Sequence, residues 1–359
     1  MSGAWPPPPG EQPQQSAATP LTPPPPQQTW TQPTWAQPLP PAHKPGAIPL
    51  RPLGLGDMLD GAFRLVRFNP GATVGASVLV AAVAMAIPLG VTTALTFTGN
   101  SLEGFGVGLE DPGYEPGTSE IIGMLVAVGS LLLGTILQSI GTILVAGMIS
   151  HVALAAAIGR KLTLGQAWAA THGNRWRLIG LALLTTVFFT VVLAIAVTPV
   201  VVLAIVVDSP VPAILAGVLM LLLLVVVSIF LAVRLYLLAV PALMLENAGV
   251  FGAIGRAWQL SARQFWRLFG IALLAAIIVG FASQIVAFPV SMIASVVGVV
   301  QPDLYVFAMI VGSAVSTVVS AAIVTPFSGA VTNLQYLDQR IRKESYEVEL
   351  MEQAGLLTR

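Results

Sequence analysis

Apolar and polar positions along this chain fall into a slow rhythm. Short stretches of helical periodicity are each followed by long, almost uncharged apolar runs. The first short stretch sets Leu55, Met58, Leu59, Ala62, Phe63 and Val66 on one stripe, with Asp57, Asp60, Arg64 and Arg67 off it. This i, i+3, i+4 spacing predicts an amphipathic helix. Asn69-Pro70-Gly71 interrupts it, and an apolar run to Phe97 follows, long enough to cross a bilayer. Gly71 and Gly75 within that run form a GxxxG, which permits close helix approach. A second short helix opens on a capping box, Thr163 with Gln166, and carries Leu164, Ala167, Trp168 and Thr171 on one face. A third carries Phe251, Ile254, Trp258, Ser261 and Phe265, with Arg256 and Arg263 away from them. The remaining apolar runs cover 121–158, 178–207, 211–245, 268–296 and 305–330.

The rhythm is an internal repeat. Residues 255–270, GRAWQLSARQFWRLFG, match 165–180, GQAWAATHGNRWRLIG, at seven positions without a gap. Pro199 and Pro289 keep the same offset of ninety residues. A weaker copy at 60–75, DGAFRLVRFNPGATVG, keeps the Ala and the last Gly and places Phe63 in the first Trp position. The predicted architecture is an all-α integral membrane protein. It is a six-span helical bundle built from three repeats, each an in-plane amphipathic helix plus a transmembrane hairpin. The repeats cover about 53–158, 163–245 and 250–335, within a membrane domain at 48–335.

Composition sharpens this. Charged residues are 9% of the chain and hydrophobic ones 55%, against about a quarter charged in soluble domains. There are no cysteines, which excludes disulfides, thiolate nucleophiles and Cys-based metal sites. The Ala, Val, Leu, Gly and Arg bias suggests a bacterial, GC-rich source. The apolar run at 121–158 exceeds one upright span, and the charges decide how to read it. With six spans all sixteen Lys and Arg lie on one side, while the opposite loops hold only acids: Glu103, Glu110, Asp111, Glu115, Glu120, Asp208 and Asp303. Splitting 121–158 would send Arg160, Lys161, Arg175 and Arg177 across. The positive-inside rule then places both termini in the cytoplasm, in a cell (cytoplasmic) membrane.

Residues 1–47 are a Pro/Gln-rich tail with PPPP at 6–9 and 23–26 and with Trp5, Trp30 and Trp35. Such a segment favours extended polyproline II and buries no core. It reads as a solvated spacer or as a docking arm for a cytoplasmic partner. No charged n-region with an apolar h-region opens it, so a cleaved signal is not expected. Residues 336–359 read as a charged, helical cytoplasmic tail.

Three stretches carry a family resemblance: IPLRPLGLGDMLDGAF (48–63), VRLYLLAVPALMLENAGVFGAIGRAWQL (233–260) running into FWRLFG (265–270), and TPFSGAVTNLQYLDQRIRKE (325–344) with its Tyr-x-Asp-x-Arg-x-Arg-x-Glu ending. Across about 46–352 the chain resembles the membrane-domain family named after glycerophosphoryl diester phosphodiesterase, in its stand-alone form with a Pro-rich tail. The resemblance implies a polytopic helical bundle of unestablished biochemical role. The phosphodiesterase activity belongs to a separate soluble barrel in fused relatives, and no such barrel fits in this chain.

Candidate chemistry is sparse. The histidines are His43, His151 and His172. No HExxH, GxSxG, Walker loop or paired intramembrane carboxylates occur. An enzyme, a metal site, a cofactor and a nucleic-acid partner are therefore not expected. Trp168, Trp176 and Arg177, with their counterparts Trp258, Trp266 and Arg267, mark where each amphipathic helix turns into the bilayer. They read as interfacial anchors or as a lipid head-group site. Inside the spans stand Gln138, Arg234, Tyr236 and Gln284, candidates because polar groups there are costly. Arg234, near a span's inner end, either snorkels or pairs with Asp338 or Glu246. Pro88, Pro199, Pro241, Pro289 and Pro326 place a break in every span but the second. The functional expectation is a non-catalytic scaffold or accessory protein touching lipid head groups or partner proteins. The alternative is a transporter or lipid-handling protein with a path between the repeats, which predicts that Gln138, Arg234 and Gln284 share one cavity.

Overall fold

Every regular element in the computed structural model is helical among the described residues, 49, 51–97, 117–207, 210–301 and 305–353. In chain order these are α1 (Leu55–Phe68), a π-helical turn (Gly71–Gly75) leading into α2 (Ala76–Phe97), α3 (Thr118–Ala157), α4 (Leu164–Ala170), α5 (Arg175–Val206) and α6 (Pro210–Leu231). A second π-helical turn (Ala232–Tyr236) precedes α7 (Ala239–Leu245), and α8 (Val250–Ser261), α9 (Phe265–Val300), α10 (Tyr305–Glu344) and α11 (Glu347–Gln353) complete the chain. Among the described residues six helices are long and apolar enough to cross a membrane: Gly71–Val91, Leu132–Ala157, Arg175–Leu203, Ile214–Leu245, Phe265–Val297 and Phe307–Glu344. The long second run is one unbroken helix, α3, of 40 residues, about 60 Å at 1.5 Å per residue. The proline-rich tail, the acids at 103–115, Asp208 and Asp303 lie outside the described residues.

Prolines act less sharply than expected. Pro88, Pro199, Pro289 and Pro326 each stand inside a continuous helix. Only Pro241 coincides with a break, at Leu237–Leu238, three to four residues upstream. That is where a proline ring meets the carbonyl of residue i−4 and removes its bond. The N–H of Leu237 bonds instead to the carbonyl of Ala232, five residues back.

Part of each expected stripe is buried, Met58 and Ala62 on α1, Ala167 and Thr171 at α4 and Ser261 on α8, together with Leu65 and Leu260, which lie off those stripes. Ala62, Ala167 and Ala257, which align with one another in the sequence of the three short helices, are all fully buried. The aromatic residue that follows each, Phe63, Trp168 or Trp258, turns outward, and Leu55 and Phe251 are also exposed. α1 presses against α10 so tightly that a Cβ on Gly61 would lie 3.1 Å from Leu334 Cδ1, while Met58 and Leu65 of the same helix are fully buried. By contrast, nothing lies within 4 Å of a Cβ on Gly71 or Gly75. That GxxxG belongs to the π-helical turn and makes no close helix contact. Close approach falls instead on Gly141, whose Cβ would meet Val80 Cγ1 at 2.1 Å, and on Gly312, whose Cβ would meet Ala294 Cβ at 2.6 Å.

α10 packs against α9, α2, α3 and α1. Its last part corrects the expectation of a tail beginning at 336. The helix runs unbroken to Glu344, and Tyr336, Leu337, Asp338 and Gln339 are buried. Both apolar clusters gather at this end of the bundle. One joins Leu53, Met58, Ile149, Phe327 and Leu334, and the other joins Leu178, Leu243, Leu260, Leu268 and Tyr336. Towards the opposite end the helices show apolar side chains outward, among them Ile195, Leu219, Ile285 and Val299.

Candidate functional site: the polar end of the bundle

The motif Tyr336, Asp338, Arg340, Arg342, Glu344 takes every second residue of a helix. Two residues advance about 200°, so the motif divides into two stripes on nearly opposite sides. Tyr336, Arg340 and Glu344 form one stripe, and Asp338 and Arg342 the other. Each stripe ties α10 to a different neighbour.

Asp338 is fully buried. Its carboxylate accepts from the backbone N–H of Leu53 at 2.8 Å, from Arg342 Nε at 2.9 and 3.0 Å, and from the Arg267 guanidinium. Arg267 and Arg342 also donate to the carbonyl oxygen of Leu53, at 2.6 and 3.2 Å. One buried charge therefore joins the segment before α1, the first turn of α9 and the end of α10. Such a charge is tolerated only when it is paired and hydrogen-bonded. On the other stripe Glu246 accepts from the Tyr336 hydroxyl at 2.6 Å and from Arg256 Nε at 2.7 and 2.9 Å. Arg256 also binds Glu344, which accepts from Arg340 Nε at 2.9 Å. Burial works to lower the Arg256 pKa, but Glu246 and Glu344 outweigh it and hold the group above its usual range. Arg340 lies 3.6 Å over the ring of Tyr346, whose phenol is pushed up by burial. Lys343 Nζ donates to the carbonyls of Gln259, Leu260 and Ala262 at 3.1, 2.9 and 3.0 Å, closing the C-terminus of α8.

The paired turns repeat in detail. Trp168 and Trp258 are each 42% exposed, while Trp176 and Trp266 are 82% and 79% exposed. Arg175 stacks on Trp168 at 4.0 Å and donates to the Trp168 carbonyl and to Thr171 Oγ1. Arg234 stacks on Trp258 at 3.9 Å and donates to the Trp258 carbonyl and to Ser261 Oγ. Thr171 and Ser261 are ninety residues apart, and so are Gly173 and Arg263, which both adopt positive φ, at 89° and 60°. The two guanidiniums come from different places, since Phe265 holds the position equivalent to Arg175.

Each turn also grips the chain entering another short helix. Asn69 Oδ1 accepts from the N–H of Leu162, just before α4, at 3.0 Å. Arg177 donates to the carbonyl of Asn247, just before α8, at 3.1 Å. Arg267 grips Leu53, just before α1. Arg177 is exposed and has no carboxylate partner among the described residues, whereas Arg267 is bound to Asp338.

The intramembrane candidates do not converge. Tyr236 lines a cavity of about 520 Å³ among α3, the fourth span, α9 and α10, which Gln138, Arg234 and Gln284 do not line. Gln284 lines a separate pocket of about 420 Å³ between α9 and α10. Gln138 is half-buried, and its Oε1 has no hydrogen-bond partner among the described residues. Arg234 pairs with neither Asp338 nor Glu246, which Arg267, Arg342, Arg256 and Tyr336 occupy. Sequence reasoning passes over Leu53, Tyr336, Arg340 and Lys343 as site residues. The alternate-residue motif is the signal that finds Tyr336 and Arg340 once it is read on a helix. Comparison with protein-family models, with curated proteins and with solved structures returns no match.

Proposed function

We propose that the chain is a multi-pass protein of the cytoplasmic membrane, with both termini cytoplasmic, acting as a non-catalytic scaffold. The observation that carries this reading is the division of charge at the polar end. The carboxylates of Glu246, Glu344 and Asp338 are taken up by internal bracing. Arg67, Arg160, Lys161, Arg175, Arg177, Arg234, Arg263 and Lys343 have no carboxylate within 4 Å among the described residues, and so leave positive charge for lipid phosphates. Trp176 and Trp266, the most exposed aromatics of the turns, suit the interfacial depth at which such cations meet head groups.

A threefold repeat organisation supports the same reading. The ties from Asn69 to the α4 entry, from Arg177 to the α8 entry and from Arg267 to the α1 entry run from each repeat to the next and close on the first. The three stretches that resemble the phosphodiesterase-named membrane-domain family supply Leu53, Glu246, Arg256, Arg267, Tyr336 and Asp338, the residues of the braced core. In this proposal the ring is a rigid platform, and the Pro-rich tail recruits or spaces a cytoplasmic partner. In-cell photo-crosslinking of the full chain and of a chain lacking 1–47 tests the recruiting role. The expected result is loss of specific cytoplasmic adducts, and an unchanged adduct pattern with an unchanged phenotype would overturn it. The scattered placement of Gln138, Arg234 and Gln284 argues against a polar transport path.

A further inference from the structure

We propose that the bundle holds one anionic phospholipid, its phosphate against Arg234 and one acyl chain in the cavity beside Tyr236. This rests on the membrane reading above and deepens it. Arg234 sits in the π-helical turn of the fourth span, where a charged side chain needs a reason. Its only hydrogen bonds among the described residues leave from Nη1, to the Trp258 carbonyl at 3.5 Å and to Ser261 Oγ at 3.2 Å. The ring of Trp258 fixes the guanidinium plane from 3.9 Å. Nε and Nη2 thus keep donors for a phosphate, which a guanidinium binds in a forked geometry that no ammonium reproduces. Lys343, on the last carbonyls of the same helix, brings a second cation to that helix end.

From this point a row of rings leads along the bundle. Trp258 meets Phe230 with centroids 6.5 Å apart, Phe230 meets Phe265 at 5.5 Å, and Phe265 stacks with Phe269 at 6.0 Å. Phe269 is a wall of the 520 Å³ cavity, whose other walls include Ile229, Val240, Leu273 and Ala276. The π-helical turn and the break after it line the cavity with Val233, Tyr236 and Leu237, and α9 faces it with Ala272 and Ala276. A space of this size falls in the range of ligand pockets, about 300–1,000 Å³. Within a bilayer the occupant at hand is an acyl chain. Moving it from lipid into an apolar cavity gains packing only, so selectivity comes from the head group at Arg234. The chain site is what distinguishes a phospholipid from free phosphate.

Native mass spectrometry of the full-length protein in detergent tests this, titrating phosphatidylglycerol, phosphatidylcholine or inorganic phosphate. One phosphatidylglycerol should be retained in preference to phosphatidylcholine and should not be displaced by phosphate. Arg234→Gln should weaken it about ten- to hundredfold, the loss of one charge-assisted contact, and Arg234→Lys should fall between. The pair Ala272→Leu and Ala276→Leu, which fills the cavity without touching charge, should weaken it as well, while Arg64→Gln should not. Equal retention by wild type and both site variants, equal retention of the two lipids, or displacement by phosphate would each overturn the proposal. If Arg234→Gln does not fold, the cavity-filling pair decides. Recovery of the wild-type chain in the soluble fraction would sink the membrane reading itself, whereas normal insertion without lipid preference sinks only this site.

Discussion

Asp338 and Asp60 show how differently two carboxylates in one chain contribute. Asp60 pairs with Arg64 at 2.9 Å, one turn away on α1, and both are largely exposed. Such a pair contributes about 0.3–0.5 kcal/mol. Asp338 is fully buried and serves two arginines and a backbone N–H. Removing one partner of a buried pair costs about 3–5 kcal/mol because the other charges are left uncompensated. Asp338→Ala should therefore cause a large fall in the thermal midpoint in detergent, and Asp60→Ala almost none. Equal effects would show that the Asp338 contacts do not brace the fold. Asp338 was legible in the sequence as the Asp of the Tyr-x-Asp-x-Arg-x-Arg-x-Glu ending and as a possible partner of Arg234, not of Arg267. Choosing between arginines required knowing that α10 does not stop at 335, and a helix that continues into polar residues looks like a tail until its neighbours are known.

At the scale of elements, the turns after α4 and α8 solve the same geometric problem with different residues. Both need a residue with positive φ three positions before the Trp that opens the next helix. One turn uses Gly173 and the other Arg263. A left-handed conformation costs a residue with a Cβ roughly 1–2 kcal/mol relative to glycine. Arg263→Gly should accordingly raise stability, by somewhat less than that range because glycine also loses more chain entropy. Gly173→Ala should lower it, and thermal midpoints of the two variants in detergent would check both signs. If both changes shifted stability in the same direction, the turns would not be equivalent. The capping box of α4 was readable in advance, and Thr163 and Gln166 make both of its bonds, at 3.3 and 2.9 Å. The buried faces of the short helices were readable in part: periodicity put Met58, Ala62, Ala167 and Ser261 on the expected stripes and they are buried, whereas Phe63, Trp168 and Trp258 of the same stripes face out.

At the scale of the molecule, six long apolar helices were countable from hydropathy and charge together, and six are long and apolar enough to cross a membrane among the described residues. What hydropathy cannot supply is which helix ends meet. The ties made by Asn69, Arg177 and Arg267 join residues 93, 70 and 214 positions apart, distances over which no local pattern speaks. The central claim is that this ring of short helices and braced charges forms one face, on the cytoplasmic side, of a six-span bundle. The absence of native cysteines allows a direct test by single-cysteine labelling in intact cells with a membrane-impermeant maleimide. Cysteines replacing Gly113 and Asp208 should be labelled from outside, and those replacing His172 and Glu349 only after permeabilisation. Labelling of His172→Cys from outside, or of positions 172 and 208 from the same side, would contradict the account.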